Sequence, residues 1–415
     1  MYTKLSLRNF SSARKRREFL ENQLKVKLEN LASFTFTEDQ VKDRSIENLI
    51  GATQIPLGVA GPLAIKNNIV IPNEVRNLPS QLTIQTRKIA TGRTGWYIPR
   101  NDQKEYYIPL ATTEGALVAS ISRGCKAVTQ SEGAYVVVEN IGQTRGPVFK
   151  TTGLEHGLMV KQWINSHISL ISQTTQKTSS HLKLLKIDIQ IIGKNLFLRF
   201  YYDTSDAMGM NMVTIATLEA VKLIERQTQA QCISLAGNFD IDKKPAWLNF
   251  IEGRGKKVWA EISLDKKVVK EVLKSTPQKI AEVVYRKNQL GSIMSGSLGF
   301  NAHYANIIAA LFIATGQDPA HVVEGSLGVT TAEVLDNGDL YFSIYLPSLV
   351  VGIVGGGTHL PTQQEALKIM QVKDVLEYCQ VSGAAVLAGE LSLIASLAEG
   401  SLATAHRRLG RKNRR

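Results

Sequence analysis

The sequence predicts an α+β protein in which a small ferredoxin-like βαββαβ unit is inserted into a large, mainly helical part built around a long central helix. Residues 148–235 carry strand-like and helix-like runs in that βαββαβ order. Residues 291–316 form the longest apolar stretch, and its length approaches that of a membrane span. Because this stretch contains Asn301, His303 and Asn306, a buried central helix is favoured over a bilayer helix.

The elements of the small unit follow from local composition. They are a short strand at 148–150, a helix at 155–176, strands at 184–192 and 196–202, a helix at 207–226 and a strand at 232–235. The connection Gly193-Lys194-Asn195 predicts a hairpin. Asp206 stands at the N-cap position of the second helix. A helix start of this kind can hold a phosphate, but an ordinary capped helix is the favoured explanation, because most helix N-termini bind nothing.

Length and composition predict two domains in a chain of 415 residues that is 44% hydrophobic. The expected large domain combines residues 1–146 with 235–406, and the small domain covers 147–234. Residues 69–103 are polar, basic and aperiodic, with Pro72, Pro79 and Pro99, so they predict an inserted surface loop. Residues 407–415 form a basic C-terminal tail.

The net charge of +13 is concentrated at the two ends of the chain. No stacking aromatics are interleaved with the basic runs and no nucleic-acid-binding motif is present, so nucleic acid is not the predicted partner. The three cysteines lie far apart and predict neither a disulfide framework nor a metal site. The N-terminus lacks a signal-peptide pattern, and we expect a cytoplasmic protein without a membrane anchor.

Several polar residues could carry chemistry, although each also has an ordinary structural explanation. Glu114 is expected in the first turn of a helix, where it complements the dipole. Lys243 and Lys244 follow Asp242 in a charged turn before a proline, and Asp318 can act as an N-cap before Pro319. The further candidates are His406 near a helix C-terminus, Gly355, Gly356 and Gly357 in one loop, and the pair His303 and Asn306.

Eight collinear segments favour a chemical role over a structural one for these residues. They are ENLIGATQIPLGVAGPL (47–63), LATTEGALVASISRGCKAV (110–128), TRGP (144–147), DTSDAMGMNMVT (203–214), GNFDIDKKPAWLNFIEGRGK (237–256), GSLGFNAHYANIIAALFIATGQDPA (296–320), LPSLVVGIVGGGTHLPTQQEAL (346–367) and GELSLIASLAEGSLATAH (389–406). The chain thereby resembles the 3-hydroxy-3-methylglutaryl-coenzyme A (HMG-CoA) reductases over nearly its whole length, except residues 66–104 and the two tails. DAMGMN is similar to the class I, biosynthetic branch.

The resemblance implies an NADPH-dependent, four-electron reduction of HMG-CoA to mevalonate and CoA for isoprenoid biosynthesis. It assigns oxyanion stabilisation to Lys243 and proton delivery to Glu114. Asp318 would tune these two groups, and His406 would protonate the departing thiolate. NADPH is the expected cofactor, with NADH as the alternative, and no metal is expected.

The remaining site residues are also assigned by resemblance alone. Those near the HMG carboxylate are Arg145, Asp242, Lys244 and Lys287; those in the substrate pocket are His303 and Asn306; those near CoA are Ser120 and Arg123. The dinucleotide would contact Asp206, Met208, Gly209, Met210, Asn211, Gly355, Gly356, Gly357, Thr358 and Arg411. The resemblance further implies a homodimer at minimum, possibly a tetramer, in which a neighbour supplies the loop at 242–244.

Four departures from the family pattern bear on function. The insertion at 69–103 precedes Glu114, and Ala236 replaces a serine that contacts the carboxylate. Ser180 replaces an arginine near the cofactor phosphate, and Lys412 replaces a regulatory phosphoserine. Three alternatives therefore stay open: an NADH-dependent degradative enzyme, an impaired relative blocked by the insertion, and a basic nucleic-acid-binding protein.

Overall fold

The structure, a computed structural model, describes residues 10–24, 32–41, 46–71 and 103–400. Up to the end of the small unit the elements are α1 (Ala13–Leu24), α2 (Glu38–Val41), β1 (Leu57–Ile71), β2 (Lys104–Ala111), α3 (Leu117–Gln130), β3 (Ala134–Arg145), β4 (Val148–Lys150), α4 (Leu154–Ser166), α5 (Ile168–Gln176), β5 (Lys183–Ile192), β6 (Asn195–Asp203), α6 (Met210–Thr228) and β7 (Gln231–Ser234).

The second half of the chain is richer in short helices. Its elements are α7 (Trp247–Ile251), β8 (Gly255–Leu264), α8 (Lys266–Glu271), α9 (Pro277–Val283), a π-helix (Val284–Gly291), α10 (Ser292–Ser295), β9 (Gly299–Phe300), α11 (Tyr304–Thr315), a 3-10 turn (Pro319–His321), α12 (Val322–Gly325), β10 (Gly328–Val334), β11 (Leu340–Leu349), a second 3-10 turn (Gly356–His359), α13 (Pro361–Met370) and α14 (Val375–Ala398).

One sheet connects both halves of the molecule. Among the described residues its eleven strands run in the order β7-β4-β6-β3-β8-β11-β10-β9, while β1 joins β2 to β3 and β5 borders β6. Strand β3 is shared between two regions: residues 135–142 pair antiparallel with β8, and residues 143–145 pair antiparallel with β6. The sheet therefore passes from the large part into the small unit along a single strand.

The small unit keeps the predicted order of elements. Its strands lie in the order β7-β4-β6-β5 and all their pairings are antiparallel. The predicted helix at 155–176 is divided at His167, and the second helix begins at Met210, three residues later than expected. The later start follows from Gly209, which is left-handed with φ 81°. Asp206 is consequently not an N-cap, and its carboxylate instead accepts the Val375 N–H at 2.9 Å.

The large part contains more strand than a mainly helical fold, and the expected central helix at 291–316 is wrong. This stretch is divided into α10, β9 and α11, because Gly296 adopts a left-handed conformation with φ 66° that ends α10. The buried central helix is α14 instead. Among the described helices α14 alone has the length and hydropathy of a membrane span, and 83% of its apolar window is buried inside the protein, as in a core helix.

Helix α14 packs against α3 and the sheet, and two glycines allow a short distance between the packed elements. A Cβ on Gly124 of α3 would lie 1.8 Å from the Ala388 carbonyl oxygen of α14. A Cβ on Gly383 would lie 2.5 Å from Val258 of β8. The main hydrophobic core surrounds this helix, whereas a separate apolar cluster fills the small unit. Helix α14 runs from Val375, where the Asp374 side chain accepts the Glu377 N–H, to Ala398.

Candidate active site

Glu114 lies in the loop between β2 and α3 rather than in the first turn of a helix. Ala116 has φ 76°, so α3 begins only at Leu117. The Glu114 N–H is donated to Thr112 Oγ1 at 3.0 Å, and its carboxylate Oε2 accepts the Asn306 amide N–H at 2.5 Å. The structure therefore brings together two predicted site residues that are separated by 192 positions in the sequence.

Lys243 and Asp318 form an ion pair with 2.7 Å between Nζ and Oδ2. The other carboxylate oxygen of Asp318 accepts the Ala320 N–H at 3.0 Å, so Asp318 is the N-cap that the sequence predicted, here of a 3-10 turn. Partial burial favours a higher pKa for Asp318, but the hydrogen bonds from Lys243 and Ala320 and nearby positive charge outweigh it. The pKa of Asp318 is therefore lowered, and the carboxylate stays anionic opposite the ammonium.

A cleft of about 660 Å³ has in its walls one member of the first pair and a residue that follows the second pair closely in sequence. Its walls include Asn306, which bonds Glu114, and Pro245, which follows the 242–244 turn. The cleft is also lined by His303 and by Val323, which lies five residues after Asp318. His303 is fixed there because its Nε2 contacts the Gly389 carbonyl oxygen at 2.9 Å. The cleft wall thus contains the amide partner of Glu114 and a residue two positions after Lys243.

The residues predicted around the substrate carboxylate occupy different environments. Arg145 Nη1 lies 3.6 Å from Asp240 Oδ2, and burial raises the pKa of Asp240 although Arg254 and Arg145 oppose the shift. Lys244 Nζ donates to the Asp242 carbonyl oxygen at 3.1 Å. Lys287 is exposed on the π-helix.

Ser120 and Arg123, the residues predicted near CoA, face α14. The Ser120 and Ser392 hydroxyls lie 3.0 Å apart, and Arg123 Nη2 donates to the Ser392 carbonyl oxygen at 2.6 Å and to Ser396 Oγ at 2.5 Å. Burial lowers the pKa of Arg123, with Glu399 acting in the opposite direction. Much of the donor capacity of Arg123 is therefore already used in joining α3 to α14.

The two segments predicted to hold a dinucleotide are adjacent. Ala207 and Val354 form a parallel bridge, and the Ile353 N–H donates to the Asp206 carbonyl oxygen at 2.8 Å. Of the remaining predicted residues in the first segment, Met208 and Met210 contact the Gln143 amide through their sulfur atoms, and Asn211 is exposed. In the second segment Thr358 Oγ1 donates to the Gly355 carbonyl oxygen at 2.7 Å, which closes the loop.

This glycine loop leaves open space. A Cβ on Gly355 or Gly356 would meet no described atom within 4 Å, and both residues have positive φ. Gly357, by contrast, packs against Gly316, where a Cβ would lie 2.7 Å from the Gly316 carbonyl oxygen. The loop is therefore closely packed at Gly357, whereas the space beside Gly355 and Gly356 is open. Such open space suits the approach of a ligand to the backbone.

Three fully buried residues beside Lys243 were missed from the sequence: Arg254, His321 and Glu324. Arg254 Nη1 lies 2.6 Å from Glu324 Oε1 and 3.0 Å from Asp242 Oδ1. The sequence offered a signal for Arg254, namely the glycines that flank it at 253 and 255. Both glycines adopt positive φ and pack closely on the backbone of β11. His321 and Glu324 carry no comparable signal in the sequence.

Two further predictions concern a neighbouring subunit and the C-terminus. The expectation that a neighbour supplies the 242–244 loop stays a prediction; within one chain Lys243 pairs with Asp318. His406, Arg411 and Lys412 lie outside the described residues.

The family described as hydroxymethylglutaryl-coenzyme A reductase matches residues 12–411 of the sequence. The chain belongs to the HMG-CoA reductase family. It is 46% identical over 404 residues to 3-hydroxy-3-methylglutaryl-coenzyme A reductase of Methanothermobacter thermautotrophicus, covering 96% of this chain and 94% of that protein. It is 45% identical over 405 residues to the enzyme of the same name from Methanocaldococcus jannaschii, covering 95% and 92%. The resemblance inferred from the eight motifs is thereby confirmed.

Solved HMG-CoA reductases share the fold. The class II enzyme of Streptococcus pneumoniae, solved bound to NADPH in open conformations, superposes with a TM-score of 0.62 at 18% identity, covering 95% of this chain and all of that one. A second structure of the Streptococcus pneumoniae enzyme gives 0.61 at 16% identity. These matches confirm a mixed fold of a large sheet and helices. The branch of the family to which the chain belongs stays a prediction.

Proposed function

We propose that the chain reduces HMG-CoA to mevalonate and CoA, in the mevalonate pathway of isoprenoid synthesis, at the cleft between Glu114 and Lys243. The Lys243–Asp318 ion pair, with Pro245 of the same turn in the cleft wall, is the observation that carries the proposal. Membership of the family and 46% identity to a protein named for this reaction support it. Glu114, which contacts Asn306 of the cleft wall, is the second ionisable group that the chemistry needs.

The chemistry explains the residue types. Reduction of a thioester and then of an aldehyde puts negative charge twice on a carbonyl oxygen, and an ammonium fixed in place stabilises that charge. Asp318 holds the Lys243 ammonium at 2.7 Å, and the lowered pKa of Asp318 keeps its carboxylate anionic at this contact. Glu114, supported by Asn306, is the proposed proton donor to the oxygen. His406 is the proposed donor to the thiolate of CoA.

NADPH is the proposed cofactor, and when bound it supplies the hydride for each reduction. The open backbone at Gly355 and Gly356, adjacent to Asp206 through the Ala207–Val354 bridge, fits a nucleotide that approaches the main chain. Gly209 and Asn211 at the start of α6, with Thr358, would line the same site, and Arg411 would contact the additional phosphate. The structurally similar enzyme of Streptococcus pneumoniae, solved bound to NADPH, supports this choice.

The substrate would be held by the groups already described. Arg145, Asp242, Lys244 and Lys287 are proposed around its carboxylate, with His303 and Asn306 along the cleft wall. Ser120 and Arg123 are proposed near CoA. We propose no metal: although Asp242, His321 and Glu324 have ligand atoms within 4.8 Å of one another, the Arg254 guanidinium already contacts both carboxylates.

The proposal extends to organisation. Residues 147–234 would form the cofactor domain, and residues 1–146 with 235–406 the substrate domain. We propose a homodimer at minimum, in the cytoplasm. The separate apolar cluster of the small unit supports a distinct domain at 147–234.

Oxidation of NADPH and, separately, of NADH by the purified chain with HMG-CoA tests the function. We expect two NADPH consumed per CoA released, with a clear preference over NADH. A preference for NADH would move the enzyme to the other cofactor branch. Turnover with neither cofactor by folded protein would contradict the proposed activity.

A further inference from the structure

The backbone of Lys243 is held as firmly as its side chain. Lys243 adopts φ 55°, a left-handed conformation that is uncommon for a residue with a side chain. Its N–H donates to Glu324 Oε1 at 3.1 Å, while its ammonium meets Asp318 Oδ2 at 2.7 Å. Both ends of this lysine are thus tied to one segment, residues 318–324.

Glu324 is the centre of this arrangement. Its side chain is fully buried, and the single oxygen Oε1 accepts from Arg254 Nη1 at 2.6 Å, His321 Nδ1 at 3.0 Å and the Lys243 N–H. Its other oxygen has no hydrogen-bond partner among the described residues. Three donors therefore converge on one buried carboxylate oxygen, so a single side chain holds Arg254, His321 and the Lys243 backbone.

His321 completes a ring of contacts. Nδ1 bonds Glu324, and Nε2 faces Asp318 Oδ2 at 3.9 Å without a hydrogen bond. The ring therefore runs from the Lys243 ammonium through Asp318, His321 and Glu324 back to the Lys243 N–H. Arg254 and Asp242 are the other charged groups packed against it. Arg254 is fixed in turn by Thr144, whose Oγ1 accepts from Arg254 Nε at 2.8 Å.

We propose that Glu324 and His321 are positioning residues for the reduction: they hold Lys243 in its left-handed backbone conformation and its ammonium opposite Asp318. The inference rests on the proposed role of Lys243. Both residues are fully buried, whereas the side chains of Lys243 and Asp318 are partly exposed, so both act through Lys243 and Asp318 rather than on substrate. Loss of the anionic acceptor releases the Lys243 backbone, and the ammonium then moves away from the carbonyl oxygen that it must stabilise.

Glu324→Gln tests the proposal, with Glu377→Gln as the matched control. Glu377 is likewise a largely buried carboxylate with three donors, namely Lys104 Nζ, the Tyr106 hydroxyl and the Lys373 N–H. Steady-state kinetics with HMG-CoA and NADPH and thermal unfolding are measured for both variants. We expect kcat of Glu324→Gln to fall by roughly tenfold to a hundredfold, with KM for HMG-CoA changed by less than about threefold. Glu377→Gln should retain the kcat of the unchanged protein.

A kcat of Glu324→Gln within about twofold of that of the unchanged protein would overturn the inference. A loss of activity that Glu377→Gln shares would also overturn it, because the effect would then be one of stability. Failure of the unchanged protein to oxidise NADPH with HMG-CoA is a different result: it contradicts the proposed function rather than the role of Glu324.

A second pair of variants decides the matter if Glu324→Gln does not fold. His321→Asn retains an amide N–H near the Nδ1 position, whereas His321→Ala removes the donor to Glu324 altogether. We expect His321→Asn to recover a kcat several-fold above that of His321→Ala. Equal kcat values for the two variants would contradict a positioning role for His321.

Discussion

At the residue scale, the ammonium of Lys243 is the group on which the proposed reaction depends most. It lies 2.7 Å from the Asp318 carboxylate, whose pKa is lowered. Motif resemblance predicted Lys243, Asp318 and Glu114, and the structure pairs Lys243 with Asp318 and Glu114 with Asn306; their catalytic roles stay predictions. The sequence could not predict Arg254, His321 and Glu324 as a group, because their importance lies in burial and in contacts over 70 positions or more.

Lys243→Ala should abolish turnover of both HMG-CoA and the aldehyde intermediate, mevaldehyde. Both reductions develop an oxyanion, and removal of one fixed donor to such an oxygen costs roughly a hundredfold to a thousandfold in kcat. Cofactor oxidation with each substrate measures the effect. The exposed Lys270 of α8 supplies the control, and Lys270→Ala should retain full activity. Retained mevaldehyde reduction in Lys243→Ala would exclude the oxyanion role.

His406→Gln should impair reduction of the thioester much more than reduction of mevaldehyde. Only the first reaction releases a thiolate that needs a proton, and a histidine titrates in the range suited to supply it. Rates with HMG-CoA and with mevaldehyde, compared in the same preparation, give the ratio. Equal losses on the two substrates would refute the role assigned to His406.

At the scale of elements, close backbone approach decides where helices lie. The apolar run at 291–316 predicted a single helix, since hydrophobicity alone cannot show that Gly296 ends α10 with φ 66°. Pairing of Gly299 with Gly328 then makes a short strand where a helix was expected. The βαββαβ order, by contrast, was predictable because each of its elements has a clear period and the hairpin at Gly193 is explicit in the sequence.

Gly124→Ala should destabilise the protein, because its Cβ would lie 1.8 Å from the Ala388 carbonyl oxygen. The added methyl group forces α3 away from α14, at a cost of about 1–3 kcal/mol or more. Denaturant unfolding measures the change in free energy. Gly153→Ala is the control, since no described atom lies within 4 Å of the added carbon and φ is extended at 177°. Equal effects of the two substitutions would contradict the close-packing argument.

At the scale of the whole molecule, electrostatic ties join distant parts of the chain. Glu377 at the start of α14 accepts from Lys104 and Tyr106 of β2, more than 270 positions away. Partial burial would raise the pKa of Glu377, but these hydrogen bonds outweigh it and lower the pKa below the ordinary 4.5. A carboxyl group with a depressed pKa stabilises the fold above its unfolded pKa, and this stabilisation is lost as the pH falls through the folded value.

Glu377→Gln should therefore lower the free energy of unfolding by about 1–3 kcal/mol near pH 7. The difference from the unchanged protein should stay constant down to about pH 5 and shrink below it. Denaturant unfolding at a series of pH values measures this. The exposed Glu282–Arg286 pair gives the control, and Glu282→Gln should have little effect at any pH. A difference that persists unchanged to pH 3 would contradict the assignment.

Replacement of residues 72–102 by a short linker tests whether the insertion impairs the enzyme. Ile71 pairs with Glu139 and Lys104 pairs with Ile65, so the linker must return over about six strand residues, roughly 20 Å. About ten Gly and Ser residues suffice. For an active enzyme we expect kcat within about twofold of that of the full chain. A tenfold rise would favour the impaired-relative alternative.

The shared strand β3 has a consequence for how the protein melts. Residues 135–142 complete the sheet around the main core, and residues 143–145 complete the sheet of the small unit. Neither apolar cluster can lose its sheet without exposing paired backbone groups of the other. The two clusters are therefore coupled in folding, and heat should disrupt them in one cooperative transition rather than two. Damage to either cluster then lowers the melting temperature of the whole chain.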